Sequence, residues 1–198
     1  MGVLDVVTLP EVEAELGVDP DSRVLLSGYI TSVSRKLDKA CGPIVQRTIT
    51  DEKHSGGHRA ILLDHYPVAS VTSVTEYSGM TGTALVEETP ATSPSNGFMP
   101  DGSMLIRRRG KIDAYWALGR HNILVTYVAG RYEDTLSVDD RFKRAAFITL
   151  ANLWRREQGM GTMTFGADGA PMLGATYALP NAAKAFIQDD IRPSGWAS

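Results

Sequence analysis

The feature that most constrains this chain is a change of hydrophobic period. Leu26, Ile30, Val33, Leu37 and Cys41 stand 4, 3, 4 and 4 residues apart, which places them on one face of a helix. Gly42-Pro43 ends that helix, because glycine suits its terminus and proline cannot continue it. From 44 to 129 the character is different. IVQRTIT, RAILLDHY, VASVTSVTEY, SMLIRRR and HNILVTYVAG are rich in β-branched and aromatic residues and are bounded by Gly, Pro, Asn, Asp or Ser, so they read as strands of an antiparallel sheet. The helical period then returns in SVDDRFKRAAFITLANLWRREQG, where Phe142, Ala146, Leu150, Leu153 and Trp154 share a face. The fold class that follows is α+β: a bundle of three to four helices, an antiparallel β-layer with hairpins, and an extended Gly-rich C-terminal arm.

The boundaries carry their own signals. Thr8 and Glu11 have capping-box spacing, Pro10 falls in the first turn and Gly17 stands at the stop, predicting a helix over 8–16. Asp19 or Asp21 can cap the next, over 20–41. Ser137 is the expected cap of a helix over 138–157, with Asp139 and Asp140 favourable against the dipole in its first turn. TPATSPSNGFMPDG, 89 to 102, reads as a long loop. Glycines at 159, 161, 166, 169 and 174 predict an extended arm, and NAAKAFIQDDI a last short helix. We therefore expect a core over 1–158 and a docking region over 159–198.

DHYPVASVTSV, 64 to 74, fits neither period: after Pro67 a valine recurs at 68, 71 and 74. Pro67 cannot donate to a ladder, so a strand start is its natural place. A β-bulge would turn alternation into a spacing of three. A regular ladder through Ser70 and Thr72 would refute this.

Composition excludes several classes. The formal net charge of -3 gives no global basic field for nucleic acid. One cysteine, Cys41, cannot form an intramolecular disulfide or a thiolate cage, and it lies on an apolar helix stripe as a small core residue. MGVLDVVTLPEVEAELG has no basic lead or long apolar run and does not read as a signal peptide. No apolar stretch reaches the roughly 20 residues a membrane span requires. A reducing cytoplasm is the expected place of synthesis.

Sites of chemistry are sparse. His54 and His58 stand i, i+4 with Asp64 and His65 following, but two glycines between the histidines argue for a solvated turn rather than a zinc helix. A metal-dependent enzyme using His54, His58 and His65 stays as an alternative. The glycines after 159 match no phosphate loop. Arg107, Arg108, Arg109 and Lys111 put four cations in five residues. They suit an exposed or inter-subunit ion-pairing strand, with DNA contact as the alternative. No nucleophile, base and orienting group assemble, and no metal or cofactor is expected.

In order, TLPEVEAELGVDPDSRVLLSGYITSVSRKLDKACG, ILLDHYPVASVTSV, NILVTYVAGR, VDDRFKRAAFITLANLWRREQG and LPNAAKAFIQDDIRP resemble the head–tail connector (adaptor) proteins of long-tailed bacteriophages. The resemblance covers about 8–80 and 121–193; the material at 78–120 and the glycine-rich 159–174 depart from shorter members. It implies a non-enzymatic virion protein made in a bacterial host. Such proteins form a twelve-fold ring under the portal protein. They line a channel through which double-stranded DNA slides without sequence specificity, and they meet the next neck or tail-completion protein. A different neck or tail-completion role in the same particle is the nearest alternative. The interface residues expected on this reading are Arg107, Arg108, Arg109, Met163, Phe165, Phe186, Ile187 and Trp196. Removing 176–198 is expected to block attachment to filled heads and leave the monomer folded.

Overall fold

A computed structural model describes residues 4–17, 22–157 and 178–191. The fold is α+β, with helices α1 (Leu9–Leu16), α2 (Arg23–Cys41), α3 (Asp140–Glu157) and α4 (Asn181–Ile187). The strands are β1 (Arg47–His54), β2 (Ala60–Leu62), β3 (Val68–Ser78), β4 (Thr81–Glu87), β5 (Gly97–Asp101), β6 (Met104–Arg109), β7 (Ile112–Asp113) and β8 (Ile123–Ala129). The chain divides into a helical unit, Met1–Val45 with Tyr132–Ser198, and a β unit, Gln46–Arg131. No helix among the described residues is long and apolar enough to cross a membrane.

In the helical unit the capping box forms as expected. The Thr8 hydroxyl accepts from the Glu11 amide, and Glu11 accepts from the Thr8 amide at 2.7 Å, so two otherwise orphaned donors are satisfied. Gly17 closes α1 in the left-handed conformation, which glycine adopts without a Cβ penalty. The candidate caps Asp19 and Asp21 lie outside the described residues. The α2 stripe Leu26, Ile30, Val33, Leu37 and Cys41 is buried throughout. It packs in one core with Phe142, Ala146 and Leu150 of α3, while Leu153 and Trp154 lie partly buried against that core.

Two expectations for this unit change. Asp139, not Ser137, caps α3, its carboxylate accepting from the Arg141 amide at 2.9 Å. Ser137 and Asp134 instead bond each other reciprocally in the preceding turn. A serine three residues from an acid is an equally good turn partner, and only the packed entry angle separates the two uses. Second, Leu179, Ala183 and Ile187 belong to the helical core. Deleting 176–198 would therefore remove core side chains rather than an appendage.

In the β unit the sheet order is β1-β8-β3-β4-β5-β6-β2, with β7 also on β6. All pairings are antiparallel except β4 with β5. The valine puzzle resolves here. Register shifts fall between Val68 and Ser70 and between Val71 and Ser73, so that Val68, Val71 and Val74 oppose Ala129, Tyr127 and Val125. Alternate positions on β8 thus meet every third position on β3, one bulge per step. Pro67 sits just ahead of β3, after a cis peptide bond. Past Val74 the ordinary period of two resumes, and Glu76 turns inward.

The reading of 89–102 as a loop is corrected by β5. Phe98 of this strand is buried and pairs with Arg107. Pro100 is tolerated because β5 meets β4 only at Gly97 and Phe98; the missing N–H faces no ladder partner. The hairpin of β3 and β4 turns at Gly79-Met80, between the paired Ser78 and Thr81. Gly79 has φ +62°, as the first position of a two-residue turn requires.

Candidate functional site

Among the described residues we follow three places that concentrate interactions, two inside the β unit and one on the helical unit. The arginine strand is the first, and the structure gives its three arginines three different fates. Arg107 is 2% exposed. Its Nε and Nη2 donate to Glu76 Oε2 at 3.2 and 3.0 Å, Nη1 to the carbonyls of Gly97 and Arg108, and Nη2 also to Asn96 Oδ1. Glu76 Oε1 in turn accepts from the Ala117 amide at 2.7 Å. A buried guanidinium is tolerated only when its donors are matched in this way. Arg107 is therefore a structural cation, and the expected interface position is turned into the core.

Arg108 lies on the opposite face, between Glu88 and Asp113, and donates to the Lys111 carbonyl. Lys111 is fixed in turn by its amide on Glu88 and its Nζ on the Pro90 carbonyl. Arg109 is exposed at the strand end. Of four clustered cations, three are thus consumed by local geometry. That weakens the motive for a phosphate-binding strand, which needs free charges on one face.

His54 and His65 are brought together, through a residue the sequence reading missed. Glu52 is drawn in by a bulge between Ile49 and Glu52 in β1, where Asp51 takes φ +52°. Its Oε1 contacts His54 Nε2 at 2.7 Å, and its Oε2 contacts His65 Nδ1 at 3.1 Å and accepts from the Tyr127 hydroxyl at 2.6 Å. Burial would raise the Glu52 pKa, but the bonds from His54, Tyr127, the Asp64 amide and His65 outweigh it and hold it at about 2. Burial and the neighbouring Glu52 push the Tyr127 hydroxyl upward. His58 is exposed and apart, in the turn that follows β1. That turn is not freely solvated: Gly56 is buried, its amide bonds the Gly119 carbonyl at 3.0 Å, and a Cβ there would meet the Ala117 oxygen at 1.9 Å. Among the described residues, no group of three or more His, Cys, Asp or Glu is arranged to hold a metal ion. The network ties β1, β8 and the 64–65 turn together. A lone glutamate in TITDEKH carries no sequence signal of that role, because the bulge that turns it inward depends on β8.

The third place is an open groove of about 880 Å³ on the helical unit. Ala14 of α1, Phe147 of α3 and Phe186 of α4 supply its apolar surface. Phe186 is 46% exposed, whereas the adjacent Ile187 is fully buried. The two were expected to act together at an interface; the helix period separates them into a groove residue and a core residue. The rim is charged, with the exposed Asp140 and three cations that each have a carboxylate partner. Lys143 reaches Glu11 at 2.9 Å, Arg144 reaches Glu15 at 2.7 Å, and Arg141 reaches Asp190 at 2.8 Å. Lys143 and the Thr8 cap together lower the Glu11 pKa against the opposing effect of burial. Met163, Phe165 and Trp196 lie outside the described residues.

No protein-family model and no curated protein matches the chain. Solved structures do. A chain in the neck of an empty gene transfer agent particle, computed with C6 symmetry, is 16% identical with a TM-score of 0.58, covering 96% of this chain and 92% of that one. A chain in the virion of the native gene transfer agent particle is 16% identical with a TM-score of 0.55, over 96% and 92%. At this identity the likeness establishes the fold, which this chain shares along nearly its whole length.

Proposed function

We propose that this chain is a structural subunit of the neck of a phage-like particle, acting as a head-to-tail adaptor. Copies of it close into a ring, with twelve subunits under a twelve-fold portal. The ring lines the DNA channel and presents a surface to the next neck protein. The observation that carries this reading is the fold shared with a neck chain over 96% of this sequence. A partial match would point to a common domain put to another use; here both units and their order along the chain are included.

The charge distribution supports the same reading. DNA must slide through such a channel, and tight phosphate neutralisation would hold it. With a net charge of -3 and three of the four clustered cations engaged within the chain, the protein offers little grip. Cyclic assembly further requires two different, complementary faces on each subunit.

The test is the mass of the purified protein, alone and with portal protein, followed by attachment of tails to DNA-filled heads. The ring predicts a multiple of the 21.5 kDa subunit that depends on portal. The informative truncation removes 192–198 only, which spares the core residues of α4. This cut is expected to weaken attachment while far-UV circular dichroism stays unchanged. A monomer at every concentration, absent from purified particles, would sink the proposal.

A further inference from the structure

The groove of Ala14, Phe147 and Phe186 is an apolar surface whose three rim cations, Arg141, Lys143 and Arg144, are each paired with a carboxylate of the same chain. An occupant is therefore selected mainly for apolar contact, since the rim cations already have carboxylate partners and an acidic occupant would find no free cation among them. The chain itself contains such a segment. From 158 to 176 the sequence carries Met160, Met163, Phe165, Met172 and Leu173, and Asp168 is its only ionisable residue. Methionines and phenylalanine on a glycine-rich backbone can fit an irregular apolar notch.

We infer that the groove of one subunit receives the segment 160–173 of a second copy of this chain. The inference rests on the ring reading and deepens it, for groove and segment are two different and complementary surfaces. Repetition of such a heterologous contact around an axis closes a ring when the rotation between subunits divides a full turn. Reach permits it. Twenty residues, 158–177, connect α3 to Ala178, a contour on the order of 65 Å. A path out and back can then extend about 30 Å, roughly the diameter of a small domain.

Cross-linking between variants that each add one cysteine tests this directly, because native Cys41 is fully buried. Ala14→Cys protein is mixed with Phe165→Cys protein and treated with a short bis-maleimide. The expected product is a cross-linked dimer that forms in the mixture and in neither protein alone. A double variant that cross-links only within one chain, with no dimer in the mixture, would overturn the inference and assign the groove to the chain's own segment. Rings with no cross-link of either kind would overturn it and leave the neck reading standing. Phe186→Asp gives a second readout at a half-exposed position: self-association should weaken about tenfold or more with unchanged helical content. Undiminished association would also overturn the inference.

Discussion

The helical unit and the β unit bury different things. The helical core is a continuous set of aliphatic and aromatic side chains from α2, α3 and α4. Its buried polar groups mostly meet nearby backbone or single hydroxyls, as Thr149 does with the Ala145 carbonyl and Ser34 with the Val6 amide. The β unit buries an ion pair, Glu76 with Arg107, beside Phe98 and Trp116, and a carboxylate network around Glu52. The difference is instructive. Apolar packing tolerates approximate shapes, whereas a buried charge tolerates only one geometry. The bulged β3 and β1 fit their partners in one register, and the inward turn of Glu76 and Glu52 depends on that register.

The comparison makes graded predictions. The largest effect is expected from Arg107→Ala, which strands Glu76 in the core: about 3–5 kcal/mol of stability by urea denaturation. Replacing both partners with apolar residues should recover much of that loss. A cost for Arg107→Ala no greater than for Arg109→Ala would break the contrast between the units. In the helical unit, Leu37→Ala should cost about 2–5 kcal/mol, and no second-site apolar change elsewhere should rescue it as the paired replacement does in the sheet.

Glu52 sharpens the contrast through pH. Its folded pKa of about 2 lies below the ordinary 4.5, so its stabilisation is complete above 4.5 and disappears as pH falls from there toward 2. Glu52→Gln should flatten the stability curve across that window and cost about 1–3 kcal/mol at neutral pH. An identical acid limb in the variant would remove Glu52 from the account. The smallest effect belongs to Thr8→Ala, about 1 kcal/mol through loss of the α1 cap, with exchange protection lost only at the first turn. A much larger loss would mean that Thr8 supports more than its helix.

The helices were legible because their information is local. The stripe from Leu26 to Cys41, the Thr8–Glu11 box and Gly17 each lie within about four residues of what they determine. The valine spacing after Pro67 was legible as a bulge because period two leaves few other ways to place those side chains. The strands β4, β5 and β7 were not, since GFMPD and TGTALVE have turn-like composition and become strands only through their neighbours. In the candidate groove, Phe186 could be named from its apolar character, but its separation from Ile187 required the packed helix.

By itself the sequence determined the fold class, the helical faces and the strand that needed bulges, because periodicity and caps act over one or two turns. Tertiary structure alone decided that Arg107 points inward while Arg109 does not, that Glu52 gathers two histidines and a tyrosine, and that α4 is part of the core. Those outcomes depend on partners distant in the chain, as Glu76 is from Arg107 and Tyr127 from Glu52. No local pattern encodes which distant group will arrive to match a buried charge.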